Sequence, residues 1–250
     1  MKEKILIVTG GSRGIGRQIA MSALEAGWRV AVSYKFNKTS ANELVQKSNG
    51  RAKAFPLDLL DSKTIGPFFS DVCKEMGVPS ALVNAAGIDP GPVKIGELTS
   101  PFIVEMMTVN VTGLMLCCDA FLNQLRENNA THGASIVNIS SMASTIGGRA
   151  GKTVYAASKG AVDVFTVGLA KEVAAEKVSA FSVRPGVTIT DMTEKLLSNP
   201  ENATKIKSSI ASQEMAKPLD IAEPVIDLIS GRFAYASGSL INLGGGGFVF

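Results

Sequence analysis

The stretch ILIVTGGSRGIG, residues 5–16, decides the fold. A run of aliphatic residues, Ile5–Val8, ends in Thr9-Gly10-Gly11-Ser12-Arg13-Gly14-Ile15-Gly16, and a helical pattern follows at once over Ile15–Ala26. Strand, glycine turn and helix in that order open a βαβ unit. Glycines permit the tight reversal and let backbone N–H groups approach a pyrophosphate at the helix N-terminus. Gly10, Ser12, Arg13, Gly14, Ile15 and Gly16 are therefore candidate cofactor contacts. The spacing is G-x-x-x-G-x-G rather than the general G-x-G-x-x-G, so the position after the first strand carries the reading. The run lacks a small-residue cleavage site and reads as a strand, not a signal peptide.

Working outward, six further apolar runs follow: Arg29–Ser33, Ala52–Leu57, Ala81–Asn84, Ser135–Ile139, Val178–Val183 and Leu240–Leu243. Most are nearly continuous in apolar residues, as parallel strands covered on both faces are. Helix-sized patterns separate them at Ser40–Ser48, Ser62–Met76, Pro101–Arg126, Tyr155–Ala175 and Leu219–Ile229. The alternation predicts an α/β fold, a doubly wound parallel sheet of about seven strands with helices on both faces. No repeat or low-complexity linker divides the chain, so 1–250 reads as one domain. Thr188–Lys217 is the least regular stretch. It is either a substrate-covering loop or a pair of surface helices.

The 250 residues are 46% hydrophobic and 19% charged, with a net charge of +3. That composition is globular, and without a run of five or six Lys/Arg it predicts neither a nucleic-acid partner nor a membrane surface. No uninterrupted stretch of about 18 apolar residues occurs, so no membrane span is expected. Cys73, Cys117 and Cys118 are odd in number and have no C-x-x-C spacing, which argues against a disulfide framework or zinc site. A reduced, cytoplasmic setting is expected. His132 is the only histidine, so a histidine-based triad or multi-His metal site is excluded, and no metal is expected.

The tip of strand two separates two cofactors. An NAD site usually has an Asp or Glu there for the ribose hydroxyls. Here the strand runs into Tyr34-Lys35-Phe36, and no acid appears before Glu43. Lys35 with Arg13 suits a 2′-phosphate instead, so NADP(H) is favoured over NAD(H). Asp58-Leu59 follows strand three, where Asp58 either accepts from an adenine amino group or caps the next helix. Asn84-Ala85-Ala86-Gly87 closes strand four with small residues that allow close approach of a ribose.

Tyr155 and Lys159 stand four apart, on one face of a helix and within mutual reach. An ammonium nearby favours the phenolate, against a free tyrosine pKa near 10. Tyr155 can then exchange a proton with a carbonyl or alcohol oxygen. Of Ser140 and Ser141, strand alternation points the two hydroxyls to opposite faces.

Together, TGGSRGIG, Asp58, NAAG, Asn110 in VNVTG, NISS, Tyr155-Ala-Ala-Ser-Lys159, RPG and the glycine-rich end resemble the short-chain dehydrogenase/reductases along essentially the whole chain. The closest likeness is to NADP-type bacterial 3-oxoacyl-[acyl-carrier-protein] reductases and glucose-dehydrogenase-like members. The resemblance implies a Rossmann-like oxidoreductase of small carbonyl/alcohol substrates. It implies Tyr155 as acid/base, Lys159 on the nicotinamide ribose, Ser141 holding the substrate oxygen and Asn110 holding a water behind Lys159. It also implies nicotinamide contacts from Pro185, Gly186, Thr188 and Thr190, and a homotetramer or homodimer. Three features depart from the pattern: the Ser141–Tyr155 interval is one residue longer than is common in the family, Ala85 replaces a frequent Asn, and Phe181 replaces another. Alternatives are a redox-inactive NADP-binding regulatory or scaffold relative, and an NAD-dependent alcohol or sugar dehydrogenase.

Overall fold

In the computed structural model, which describes residues 4–247, seven strands form one parallel sheet. They are β1 (Ile5–Thr9), β2 (Arg29–Tyr34), β3 (Ala52–Pro56), β4 (Ala81–Asn84), β5 (Ser135–Ile139), β6 (Ser179–Pro185) and β7 (Leu240–Leu243). Their order is β3-β2-β1-β4-β5-β6-β7. The expected runs and the strands agree to within one or two residues, because each run is bounded by glycine, proline or polar residues.

Successive strand residues face opposite layers. Ile5, Ile7, Leu82, Ile136 and Ala180 join one cluster, covered by α3 (Ile65–Met76), α5 (Gly113–Glu127) and α7 (Thr153–Glu172). Leu6, Val8, Val83, Val137 and Phe181 join the other, under α1 (Gly14–Glu25), α2 (Lys38–Gln46) and α10 (Pro218–Ile229). Two covered faces explain why the strands read as unbroken apolar runs. Phe181 is wholly buried, so its departure from the family pattern is a packing feature. The chain winds outward through β2 and β3, then returns to β4 on the other side of β1. At that reversal the connections leave in opposite directions and open a crevice at the strands' C-terminal ends.

One expectation is corrected. The Pro101–Arg126 pattern is helical throughout but not one α-helix: α4 (Ser100–Met107) and α5 are joined by a π-helical turn, Thr108–Thr112. The Ser100–Glu127 run is long and apolar enough by composition to cross a membrane. Here it serves as a core helix, burying Leu114, Cys117, Cys118, Phe121 and Leu125. The Thr188–Lys217 stretch, the least regular in sequence, takes the second of its two readings, a pair of helices, α8 (Asp191–Leu197) and α9 (Pro200–Ser208). Thr190 and Thr193 form a capping box for α8, and Asn199 caps α9 with Pro200 in the first turn. Those caps are short-range signals that the polar composition obscured.

Candidate active site

The glycine turn is built for close approach. Gly10 has φ +67°, and a Cβ there would lie 2.8 Å from the Ala86 Cα. A Cβ on Gly16 would lie 2.4 Å from the Gly10 carbonyl oxygen and 3.3 Å from the Ala85 Cβ. The NAAG segment thus passes directly against the turn, and Ala85 is small because α1 begins there. The Gly10 N–H donates to Ser33 Oγ at 2.9 Å, tying the turn to the end of β2. Helix α1 starts at Gly14, with Ser12 buried, Arg13 exposed and Ile15 packed on the core. Its first-turn N–H groups have no intrahelical acceptors, a cradle that fits an anionic pyrophosphate. Thr190, at the start of α8, stands 3.6 Å from the Cβ position of Gly14, so the segment after β6 overhangs the turn.

Further along the crevice, Lys35 and Asp58 meet as an ion pair at 2.9 Å, while Leu60 N–H also donates to Asp58. Burial would raise the Asp58 pKa, but the Lys35 hydrogen bond and the Leu60 amide outweigh it and hold the carboxyl below its usual value. The cation assigned to a 2′-phosphate and the carboxylate assigned to adenine are therefore each other's partners. Glu43 sits with Arg17 at 3.7 Å. Tyr34 ends β2 and is half-buried.

Two of the residues expected at the cofactor have side chains engaged within the fold. The Asn84 side chain is buried and donates to Asn138 Oδ1 at 2.9 Å and to Cys118 Sγ, bracing β4 against β5. Leu59 is buried against Gly113. Pro185 is buried in β6, and Gly186 lies against Gly244, 3.0 Å from a built Cβ. The Thr188 hydroxyl donates to the Gly186 carbonyl, and its own carbonyl accepts from Thr193.

The reacting side chains converge at the ends of β4 and β5. The Ser141 hydroxyl bears on the Tyr155 phenol and accepts from Ala143 N–H, whereas Ser140 donates to the Lys159 carbonyl at 3.0 Å. The two serines thus face different partners, as strand alternation separates them. Lys159 Nζ donates to the Ile139 carbonyl at 2.9 Å and lies 5.9 Å from the Tyr155 ring centre. Gly87 is beside it, with a built Cβ 3.5 Å from Nζ and 3.2 Å from Asn110 Oδ1. Asn110, in the π-turn, accepts from Ile88 N–H at 2.8 Å and donates to the Ile88 carbonyl and to Ser158. The π-turn leaves Asn110 wholly buried, clamping the loop after β4.

Burial sets the titrations. It pushes the Tyr155 phenol up to about 12; the Ser141 hydroxyl pulls it back and the Asp89 carboxylate raises it further. The same cause brings Lys159 down to about 8, with Asp163 opposing. In the chain alone, burial rather than the Lys159 ammonium sets the Tyr155 phenol, against the expectation that Lys159 favours the phenolate. Tyr155 stands ready as a proton donor. Burial also raises the thiols of Cys73, to about 11, and of Cys117 and Cys118, which removes them as nucleophiles.

Sequence reading missed Asp89 and Lys152, paired at 2.5 Å beside Tyr155. Neither belongs to a motif, and 62 residues separate them. The long Ser141–Tyr155 interval was the available signal.

A family model described as short chain dehydrogenase matches residues 4–201. The chain belongs to the short-chain dehydrogenase family and is an oxidoreductase acting between CH–OH and C=O groups. It is 36% identical over 245 residues to the uncharacterized oxidoreductase YgfF of Escherichia coli (strain K12), covering 97% of this chain and 99% of that protein. The 3-oxoacyl-[acyl-carrier-protein] reductase of Homo sapiens is 32% identical over 244 residues, with 98% of each covered. A solved blue fluorescent protein from a metagenomic library, in complex with NADPH, superposes with a TM-score of 0.89 at 30% identity and 97% coverage of both chains.

Proposed function

We propose that this chain moves a hydride between NADP(H) and a carbonyl or secondary alcohol, with Tyr155 as the acid/base. The observation that carries this is the grouping of Tyr155 with buried Lys159, whose Nζ lies 5.9 Å from the Tyr155 ring centre, and with Ser141 at the end of β5, in a crevice that opens from the Gly10 cradle. Bound along that crevice, the dinucleotide supplies or accepts the hydride. Gly10 to Gly16 receive its pyrophosphate, and Lys159 holds ribose hydroxyls while Gly186, Thr188 and Thr190 orient the ring. Asn110 keeps Lys159 in place through Ile88 and steadies a water behind it. Ser141 fixes the carbonyl oxygen, and Tyr155 delivers its proton to that oxygen during reduction or recovers it during oxidation.

Lys35 and Arg13 with no acid at the tip of β2 support NADP(H), as does the NADPH named for the solved relative. One observation favours NAD(H) as a second reading: Asp58 already neutralises Lys35. The 3-oxoacyl thioester named for the human relative is a reasonable substrate class. Helices α8 and α9 are positioned to cover it. Exposed Val104 and Val164, on α4 and α7, support homo-oligomer formation, and three unpaired cysteines suit a cytoplasmic setting.

The test is a panel of carbonyl compounds, including a 3-oxoacyl thioester, with NADPH and NADH followed at the reduced-nicotinamide band. Consumption of NADPH in excess of NADH supports the proposal. Silence across the panel with cofactor still bound favours a regulatory relative.

A further inference from the structure

A lysine at the N-cap of a helix opposes both the usual cap chemistry and the helix dipole. Lys152 holds that position on α7, makes no side-chain cap bond and is three residues from Tyr155. Its ammonium reaches back to Asp89 Oδ1 at 2.5 Å, with the two side chains only 24% and 18% exposed. The loops that carry them are joined again by Val93 N–H donating to the Gly151 carbonyl at 2.9 Å, where Gly151 (φ +80°) lies too close to Pro92 for a Cβ. Asp89 is itself anchored, since Asn110 holds both backbone groups of the preceding Ile88. A carboxylate is thereby fixed at the N-terminal end of α7, whose first turn carries Tyr155.

We propose that Asp89 and Lys152 form a positioning pair for the reaction, in which Asp89 keeps the Tyr155 hydroxyl a proton donor and Lys152 limits how strongly it does so. The inference rests on Tyr155 as the acid. Among the charged groups of the described residues, Lys159 lies on the same helix, 5.9 Å from the Tyr155 ring centre, and Asp89 bears on the phenol while paired to Lys152. Asp163, one turn beyond Lys159, is neutralised by Arg184 at 2.9 Å from β6. Asp89 agrees in sign, being one of the causes that raise Tyr155.

The two partners give opposite expectations, which a purely structural clasp does not. Tetranitromethane nitrates tyrosinate, so at pH 8 its rate at Tyr155, read from the mass of the Tyr155 peptide, follows the ionised fraction. Asp89→Asn removes the negative charge and should nitrate Tyr155 roughly three- to tenfold faster, equivalent to a shift of about half to one pH unit. Lys152→Met leaves Asp89 unpaired and should slow the reaction. The exchanged protein D89K/K152D keeps the pair but reverses the nearer charge, and should also be faster than wild type. Acceleration in both single variants would mean simple loosening and overturn the proposal, as would no change in D89N and the exchanged protein. Should Tyr155→Phe retain turnover, the acid assignment falls instead, a result that nitration does not depend on.

Discussion

Lys159 is asked to carry a charge in a place that disfavours it. Its ammonium donates to the Ile139 carbonyl, and burial lowers its pKa from 10.5 to about 8. Affinity for the cofactor and turnover should therefore decline as pH rises through about 8, where the ammonium is lost. Stability moves the other way. Between pH 8 and 10 the unfolded chain keeps this proton and the folded chain does not, so the Lys159 contribution to stability increases with pH. Above pH 10 raised Tyr155 begins to oppose it, because there the folded state holds the extra proton. Denaturation midpoints of wild type and Lys159→Met at pH 8 and 10 check this: the wild type should gain relative to the variant. At the far end of the crevice, Lys35→Ala and Arg13→Ala should weaken NADPH much more than NADH, measured by nicotinamide fluorescence. Equal losses, or tighter NADH in the native protein, would transfer the preference to NAD(H).

At the scale of elements, the glycine turn and the π-turn do the positioning. Gly10→Ala needs a positive φ and puts a Cβ 2.8 Å from the Ala86 backbone, so dinucleotide affinity should fall at least tenfold in a titration followed by NADPH fluorescence. Asn110→Ala strips both backbone groups of Ile88 of their partner. A loss of about 1–3 kcal/mol in urea denaturation is expected. The strands and the Tyr155–Lys159 pairing were legible in sequence because each depends on local spacing. The π-turn was not, since apolar periodicity looks the same through it. The side-chain partners of Asn84 and Leu59 were not legible, because they lie on β5 and α5, far away in sequence. Lys35 and Asp58 were each legible as charges, but their mutual pairing belongs to the β2–β3 register.

For the molecule as a whole, the sheet fixes the chemistry and the outer helices remain available for assembly. Val164 is 75% exposed and Val104 58%, on the two helices proposed to carry the contact between subunits. Val164→Asp should lower the mass measured by light scattering while leaving the circular dichroism spectrum unchanged. The crevice lies between elements drawn from the whole chain: the turn after β1, the ends of β4 and β5, and the segment after β6. The central claim is that these converge on Tyr155 as the proton donor. It is tested most directly by comparing Tyr155→Phe with wild type for NADPH binding and for NADPH-dependent turnover of a carbonyl from the panel. The account predicts near-native binding with turnover reduced by roughly 100- to 10,000-fold. Turnover within a few-fold of wild type would contradict it.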